Sequence, residues 1–592
     1  MKRLALKGTW TVIAVGFLLG EPAAPSLAQR LVSVRTRETK LGAEVLMAEE
    51  VWLRLRGPGR LSEASRVVQN LTEVLLAGLR PEDVQVKAAA PGVHELRGKG
   101  TTLVTATRQE AAAQKSTPAG LAQGWAKRLR ELVSSPYVAY ATAAVLQVPV
   151  GETRAVRIGG TAASAPQVAV EPADLATAEL RGGSIVVRAL RAGNGELRLS
   201  TATATALVPL RARHWAAIVP SMVSVPLTAP LKPNEWPEAA KAALACAVRA
   251  QPSADVRVAF TSLSPADTTA RLVATAPDCL PVSTIVRLEG VASERRLPLP
   301  RRVWVSNYPE RVREPAALLR DRLGAGDAVR VLWHHVNNSS GALWFSVRLW
   351  NLGEAAVTFA WSGAVSGPGR DEVYAGHVAA RNYLDLLNRG AALVTCLPGR
   401  SWVELASVRT RPGEIVSGVG SLALLAGEAL ILEVVAHAAP PLPACRSITT
   451  IPDHLSRLSR FDFAGVVETQ ASFAAGDPWR FIRVGHIPTA NDEGKLLHGN
   501  YGVLYWIDLQ ISNPTTEQAE VELAAHAPGG AARMVLLLDG QLLDTPLLNP
   551  TAYYVIHRWV LKAGESRRVV VGTMPQAGSN YPVALILRTP PR

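Results

Sequence analysis

Apolar residues recur at helical spacing in two stretches near the N-terminus, and strand-like alternation precedes each of them. The first stretch predicts a helix over 62–79 after a strand at 51–55, and the second predicts a helix that begins at Pro118 after a strand at 101–107. Together they predict a small α+β domain over 29–137. The apolar positions are Val67, Leu71, Val74 and Leu75 in the first helix and Leu121, Trp125, Leu129 and Leu132 in the second.

The next two regions differ in pattern. Residues 146–213 contain only strand signals, and the tight turns Gly182-Gly183 and Asn194-Gly195 separate them. A helix from Trp236 to Val248 then precedes three alternating strands. We therefore expect a small all-β domain over 146–213 and an α+β domain over 214–301.

The C-terminal half contains a diverged duplication. Two related immunoglobulin-like β-sandwiches, at 302–438 and 499–592, explain it best, with a linker and strands over 439–498. The fold class predicted for the chain is multi-domain and mostly β, with α+β modules in the N-terminal part. The matched stretches are Leu343–Asn351 with Tyr505–Asn513, Pro412–Glu414 with Ala563–Glu565, and Ala429–Leu432 with Ala584–Leu587.

The first 28 residues have the pattern of a secretory signal peptide. Basic residues at Lys2, Arg3 and Lys7 precede an apolar run, and small residues at Ser26 and Ala28 fit a cleavage site before residue 29. We expect an exported protein of the periplasm, cell surface or medium. The other long apolar stretch, 415–436, contains glutamates and glycines, so no integral span is expected after signal removal.

The chain carries a formal charge of +14, and most of its basic residues are arginine. These arginines are spread along strands and do not form a run, so nucleic-acid binding is not predicted. Net positive charge is compatible with loose attraction to anionic envelope polymers.

Four cysteines occur in a chain predicted to reach an oxidising compartment, which favours disulfides. Of the three possible pairings we prefer Cys246 with Cys279 and Cys396 with Cys445, because each pair falls within one predicted domain. The sequence lacks CxxC spacing, so zinc and thioredoxin-like sites are not expected.

Residues 148–154, with the sequence VPVGETR, open a region with glycine-centred turns. Region 148–213 resembles the N-terminal β domain of pilus-assembly secretins, which implies an envelope-assembly module. The stretch Leu103–Thr107 with Leu121 and Trp125 resembles a periplasmic module of exported bacterial proteins. The blocks around Asn337, at 500–505 and at 578–583 resemble an uncharacterised bacterial exported multi-domain family, which implies no established activity.

No catalytic motif stands out in the sequence. It has no GxSxG elbow, SxxK, HExxH, P-loop or helix-opening GxGxxG. His334-His335 with His377, and His486 with His498, are the candidate metal ligands, but the adjacent residues His334 and His335 would point to opposite faces of a strand. Packing is the expected role of these histidines, and no metal or cofactor is predicted.

Aromatic residues supply the candidate binding site. In the first repeat Trp344, Arg348 and Trp350 share one face of a strand, and Trp506 was matched to that face in the second repeat. Such a face suits stacking on sugar rings or docking of a protein. The alternative is that it packs against a neighbouring domain.

These patterns predict a non-catalytic structural or interaction protein of the bacterial cell envelope, which binds an envelope protein or a surface polysaccharide. Two alternatives stay open. One is a periplasmic assembly factor for a pilus or export system, which predicts a homo-oligomer or a stable complex. The other is a carbohydrate-active hydrolase, which needs two convergent carboxyl groups.

Overall fold

A computed structural model describes residues 29–456 and 462–590; the predicted signal peptide, 1–28, lies outside them. The chain divides into two compact units, between His214 and Trp215. Strands outnumber helices throughout both units, so the predicted mostly β, multi-domain class is confirmed. Among the described residues, no helix is both long and apolar enough to cross a membrane.

Among its described residues, the first unit contains three α-helices and a short 3₁₀ helix at Pro81–Asp83. The helices are α1 Leu61–Leu76, α2 Arg108–Ala113 and α3 Pro118–Leu132. The strands are β1 Arg30–Val32, β2 Val34–Thr39, β3 Gly42–Met47, β4 Glu50–Arg56, β5 Val84–Ala90, β6 Val93–Gly98, β7 Thr101–Ala106, β8 Tyr137–Tyr140, β9 Leu146–Pro149, β10 Thr153–Gly160, β11 Gln167–Glu171, β12 Ala176–Arg181, β13 Ser184–Ala189, β14 Gly193–Ser200 and β15 Thr205–Arg213.

Two cores organise this unit. Helices α1 and α3 bury their apolar faces against the sheets β2-β3-β4 and β5-β6-β7. The second core lies between the sheets β1-β8-β10-β13-β12 and β11-β14-β15-β9. Because β1 and β8 belong to the second pair of sheets, the predicted break after residue 137 falls inside a sheet. The Tyr137 hydroxyl, which donates to the carbonyls of Leu75 and Leu79, ties β8 to the end of α1.

In the described part of the second unit there are two α-helices, α4 Trp236–Ala247 and α5 Glu372–Arg389, and 3₁₀ helices at Asp453–Ser456 and His498–Asn500. Its strands are β16 Ala217–Ile218, β17 Met222–Leu227, β18 Arg249–Ala250, β19 Asp255–Ser264, β20 Asp267–Thr275, β21 Val282–Ala292, β22 Arg302–Ser306, β23 Arg311–Val312, β24 Ala316–Gly324, β25 Ala328–Asn337, β26 Leu343–Asn351, β27 Val357–Gly369, β28 Leu393–Leu397, β29 Ser401–Thr410, β30 Ile415–Ala426, β31 Ala429–His437, β32 Cys445–Ser447, β33 Asp462–Ala464, β34 Val466–Ala474, β35 Arg480–Val484, β36 Thr489–Ala490, β37 Leu496–Leu497, β38 Leu504–Ser512, β39 Ala519–His526, β40 Val535–Leu538, β41 Gln541–Asp544, β42 Tyr554–Leu561, β43 Ser566–Thr573 and β44 Val583–Arg588.

Two sandwiches form the second unit, and they repeat one pattern of strand pairing. In the first, β25 pairs with β30 and runs parallel to β22, while β26 lies between β29 and β31, and β31 pairs with β24. In the second, β38 pairs with β43 and runs parallel to β34, while β39 lies between β42 and β44, and β44 pairs with β35. The predicted pair of related sandwiches is confirmed, with β25 corresponding to β38 and β26 to β39.

Buried asparagines at strand ends correct the predicted alignment by one strand. The Nδ2 group of Asn337 donates to the Gly341 and Thr410 carbonyls at 2.9 and 3.1 Å. Asn513 Nδ2 makes the equivalent bonds, to the carbonyl of Glu517 four residues along the chain and to that of Leu561 at the end of β42. The sequence had matched Asn513 with Asn351, which ends β26 with the same kind of side-chain bonds. The repeated asparagine therefore identified the duplication but not its strand register.

The predicted α+β domain at 214–301 does not form sheets of its own. Strands β16 and β18 extend the sheet β16-β18-β32-β29-β26-β31-β24 of the first sandwich, and β17 joins β19, β20 and β21 to its other sheet through β28. The boundary between residues 301 and 302 is therefore corrected, because edge strands from both sides pair across it. The predicted linker at 439–498 likewise supplies β32 and β33 to the first sandwich and β34 and β35 to the second.

Helix α5 lies between the two sandwiches. On the second sandwich, Arg381 Nε donates to Asp544 Oδ2 at 2.6 Å and Asn388 Nδ2 donates to the Gly540 carbonyl at 2.8 Å. Gly376 lets the helix approach closely, since a Cβ there would lie 1.8 Å from the Ala577 carbonyl oxygen.

Arg330 joins the segments that meet beside α5. It is fully buried on β25, and its guanidinium donates to the carbonyls of Gly465 and Gly502 at 2.8 and 2.9 Å. A third carbonyl, that of Pro300, lies 3.4 Å from Nη2, and Nε donates to the Tyr383 hydroxyl at 3.1 Å. Backbone dipoles and the Tyr383 ring, 5.7 Å from the guanidinium, thus replace water around this charge.

We predict that Arg330→Met lowers the free energy of unfolding by about 3 kcal/mol or more, because the buried carbonyls of Gly502 and Pro300 lose this donor and that of Gly465 keeps only the Leu504 backbone nitrogen. Urea denaturation followed by tryptophan fluorescence measures this loss. Arg322→Met removes an exposed arginine from neighbouring β24 and is the matched control. Equal denaturation midpoints for the two variants would contradict the prediction.

Candidate functional site

The predicted recognition face of the first sandwich is largely covered. Trp350 is only 6% exposed, its indole Nε1 donates to Glu433 Oε2 at 3.1 Å, and its ring stacks on Trp402 with centroids 5.0 Å apart. Beside it, Arg348 Nε donates to Glu404 Oε1 at 2.7 Å. The expectation of an exposed Trp350 is therefore corrected: these side chains form a buried aromatic and ionic layer.

A segment of the same chain, 439–455, covers this layer. The backbone nitrogen of Leu442 donates to Glu404 Oε2 at 3.1 Å, and Leu455 packs against Trp350. The sequence had assigned this segment to a linker. Its packing against the sheet explains why Trp350 and Glu404 are buried, and it matches the alternative in which the tryptophan face packs internally.

The other two predicted tryptophans, Trp344 and Trp506, are half-buried and lie on different sandwiches. Trp344 shares β26 with Arg348 and Trp350. The ring of Trp506 lies over Gly572 of β43, where a Cβ would come within 2.5 Å of it, and packs near residues of α5 and β40. The structure therefore brings three of the four predicted binding residues together and separates Trp506 from them.

An exposed aromatic surface instead occupies the outer face of the second sandwich, on the sheet β35-β44-β39-β42. Trp479, Phe481 and Tyr553 are 40%, 48% and 44% exposed. The Trp479 ring centroid lies 5.5 Å from that of Tyr553 and 6.4 Å from that of Phe481, and His526 stacks on Tyr553 at 4.6 Å. We call these four residues the aromatic face.

An ion-paired layer supports the aromatic face from below. The Arg588 guanidinium lies 5.0 Å from the Trp479 ring centroid and 5.7 Å from that of Tyr553. Its Nε donates to Glu522 Oε2 at 2.8 Å, while Arg558 Nη2 lies 2.8 Å from Glu522 Oε1. Glu522 is 1% exposed, so it holds both guanidinium groups in fixed positions. Cation–π contacts with Arg588 thus hold the rings of Trp479 and Tyr553 over this ion-paired layer.

The alternation of inward and outward side chains along the strands produces this ion-paired layer. On β39, Glu522, Ala524 and His526 point outward, while the residues between them enter the core. Ala584 and Ile586 of β44 are their outward-facing neighbours. The small side chains of Ala524 and Ala584 leave room for the rings of Trp479 and Tyr553 to lie over the sheet.

Sequence reasoning missed the aromatic face because Trp479 and Tyr553 lie in loops just before β35 and β42, outside any alternating strand. The available signal was the presence of aromatic residues immediately before two strands, in Pro478-Trp479 and Tyr553-Tyr554. Which strands become neighbours in the sheet was not evident from sequence.

A cavity of about 340 Å³ lies between α4, α5, β27 and β29 in the second unit. Two carboxylates line it, Glu235 and Glu238. Glu235 is paired with Arg389 at 2.6 Å and Glu238 with Lys241 at 2.7 Å. Both carboxylates that line the cavity are therefore engaged in ion pairs with neighbouring side chains.

The candidate metal ligands His334 and His335 point to opposite faces of β25. His335 is hydrogen-bonded to the Ser306 hydroxyl at 2.9 Å and to the Pro309 carbonyl at 3.0 Å. Neither ring nitrogen of His334 has a hydrogen-bond partner among the described residues. Across residues 29–456 and 462–590, no group of three histidine, cysteine, aspartate or glutamate side chains is placed to hold a metal ion.

The structure places one of the two preferred cysteine pairs on different faces of the first sandwich. Cys246, Cys396 and Cys445 are in the reduced state in it. Cys396 is exposed on β28, with Sγ 3.4 Å from the Thr358 hydroxyl, whereas Cys445 is buried in the core of the first sandwich. The expected Cys396–Cys445 bridge is corrected on this ground, because Cys396 points away from that core. The half-buried Cys279 follows β20, and its bond to Cys246 stays a prediction.

No protein-family model matches the chain, and no curated protein matches it. Among solved structures, domains 5-6 of the S-layer protein SbsC are 8% identical, with 46% of this chain and 94% of that chain covered and a TM-score of 0.12. The tandem Ig repeats of Dlar are 10% identical, with 25% and 94% covered and a TM-score of 0.11. The endo-fucoidan hydrolase MfFcnA9 from glycoside hydrolase family 107 is 9% identical, with 29% and 38% covered and a TM-score of 0.14. With TM-scores this low, none of these likenesses carries an argument about function.

We predict that acidification destabilises the protein in part through His334. Burial lowers the pKa of His334 from 6.5 to about 4. The unfolded chain therefore binds a proton near pH 6.5 that the folded chain binds only near pH 4, so the free energy of unfolding falls as pH drops through this range. At pH 5 the loss is on the order of 2 kcal/mol.

Urea denaturation of wild type and His334→Leu at pH 7 and pH 5 measures this contribution. The variant lacks the titrating ring, so its stability should fall less between the two pH values. The same fall in both proteins would show that His334 does not contribute.

Proposed function

We propose that this protein is a non-catalytic, exported component of the cell envelope that binds an acidic surface polysaccharide through the aromatic face of its second sandwich. The observation that carries the proposal is the set of exposed rings, Trp479, Phe481 and Tyr553, held over a buried ion-paired layer. Large apolar rings left on a surface commonly mark an interaction site.

The chemistry of the face suits a sugar chain. The C–H faces of sugar rings are apolar and stack on aromatic rings, while their hydroxyl groups need hydrogen-bonding partners. The outer sheet offers such partners in Arg483, Arg558 and His526 around the rings. A planar guanidinium also binds carboxylates with two parallel hydrogen bonds.

Charge favours an anionic polymer. The outer face contains Arg483, Arg558 and Arg588 against the carboxylates Glu520 and Glu522, and the whole chain carries +14. Long-range attraction brings a polyanion to the surface, and ring stacking then fixes its position.

The alternatives give different results with the same polymer. A carbohydrate-active hydrolase would shorten it and release new reducing ends, whereas a binding protein leaves it intact. A pilus or export assembly factor, which the resemblance of region 148–213 to secretins suggests, would bind a protein partner and ignore the polymer.

We predict that Trp479→Ala/Tyr553→Ala weakens binding to polygalacturonate at least about tenfold, because two stacking contacts are lost. Affinity electrophoresis in native gels containing the polymer measures the dissociation constant. The double variant leaves the net charge unchanged, so non-specific attraction of a basic protein to a polyanion is the same in both samples.

Tyr374→Ala is the matched control, since it removes a 54% exposed ring from α5, away from the aromatic face. It should bind like wild type. The proposal fails if the double variant is retained as strongly as wild type, or if new reducing ends accumulate in the wild-type sample.

A further inference from the structure

Two cysteines that are far apart in sequence lie in the same core of the first sandwich. Cys246 lies in the last turn of α4, and Cys445 begins β32. They are 2% and 0% exposed, and both belong to one continuous apolar core.

Backbone pairing fixes their proximity. The strand that follows α4, β18, runs parallel to β32 with Arg249 opposite Cys445. The Cys445 nitrogen also donates to the Val248 carbonyl at 2.9 Å. Val248 is only two residues after Cys246, so the end of α4 and the start of β32 are held side by side.

The surroundings keep both sulfurs protonated. Burial raises the pKa of the Cys246 thiol well above its ordinary range, and neighbouring Cys445 raises it further. Burial also raises the pKa of Cys445 to about 11. Metal binding and thiol–disulfide exchange both need the thiolate, so the folded core disfavours a metal site here, and any exchange belongs to folding, before the core closes over the sulfurs.

We propose that Cys246 and Cys445 form a structural disulfide when the exported chain folds in an oxidising compartment. The reaction is thiol–disulfide exchange with an oxidised dithiol oxidoreductase or a glutathione disulfide. Each of the two sulfurs gives up its proton, and together they give up two electrons as the new S–S bond forms. The disulfide of the oxidant takes up both electrons and both protons and is released as two thiols. The pairing differs from both pairs that the sequence favoured.

The bond has a structural consequence. It closes a loop that contains most of the first sandwich and all of α5, and bridges across long loops restrict the unfolded chain most. It also anchors β32, which follows the proline-rich part of the segment covering Trp350. The disulfide would therefore hold that cover in place.

Refolding in a glutathione redox buffer tests the proposal directly. The protein is residues 29–592 carrying Cys279→Ser and Cys396→Ser, alongside the same chain with all four cysteines. After alkylation without reduction and proteolysis, mass spectrometry should find the Cys246 and Cys445 peptides cross-linked in both. The oxidised form should also melt several degrees higher than the reduced form, and adding Cys445→Ser should abolish the difference.

The inference is overturned if both cysteines are alkylated in the refolded, unreduced protein, or if Cys246 is found joined to Cys279 in the four-cysteine chain. Although the proposal rests on export, refolding does not depend on it. A failed polymer-binding experiment with an intact cross-link would therefore reject the proposed ligand and leave the disulfide standing.

Discussion

The buried guanidinium of Arg330 is the interaction on which the arrangement of the second unit depends. It takes a charge out of water without a carboxylate and surrounds it with carbonyl oxygens from the segments before β22, β34 and β38, and with Tyr383 of α5. Because each segment belongs to a different part of the chain, the guanidinium can be satisfied only when all of them are in place. The second sandwich and α5 are thereby held against the outer face of the first.

The aromatic face depends on this arrangement indirectly. Segment 462–484 carries β33 into the first sandwich and then β34 and β35 into the second, and Arg330 binds it at Gly465, between β33 and β34. Trp479 and Phe481 lie on the last part of that segment. The hydrogen bond from Arg330 to Gly465 thus helps to position the segment that carries Trp479 and Phe481.

Local patterns made the strands and helices predictable, whereas the candidate site depends on which strands become neighbours. Alternation located β26 and β38, and helical spacing located α1, which ends at Leu76 and not at Leu79. Alternation also shows that Trp350 faces away from the core of its own sandwich, but it cannot show that residues 439–455 fold back over it. Trp479 and Tyr553 come together only because β44 and β39 place β35 and β42 on one sheet.

The two repeats differ in how the equivalent outer face is covered. By the corrected alignment, β26 and β39 occupy equivalent positions, and each carries polar and aromatic groups on its outer side. On β26, segment 439–455 buries that side, and Trp350 donates its indole hydrogen bond to Glu433 of the same chain. On β39, the rings of Trp479 and Tyr553 shield Glu522 and Arg588 but keep their own outer surfaces exposed. In the first copy of the duplicated sheet, the chain's own segment covers the outer face. In the second copy, exposed aromatic rings cover it, so an external ligand can reach that surface.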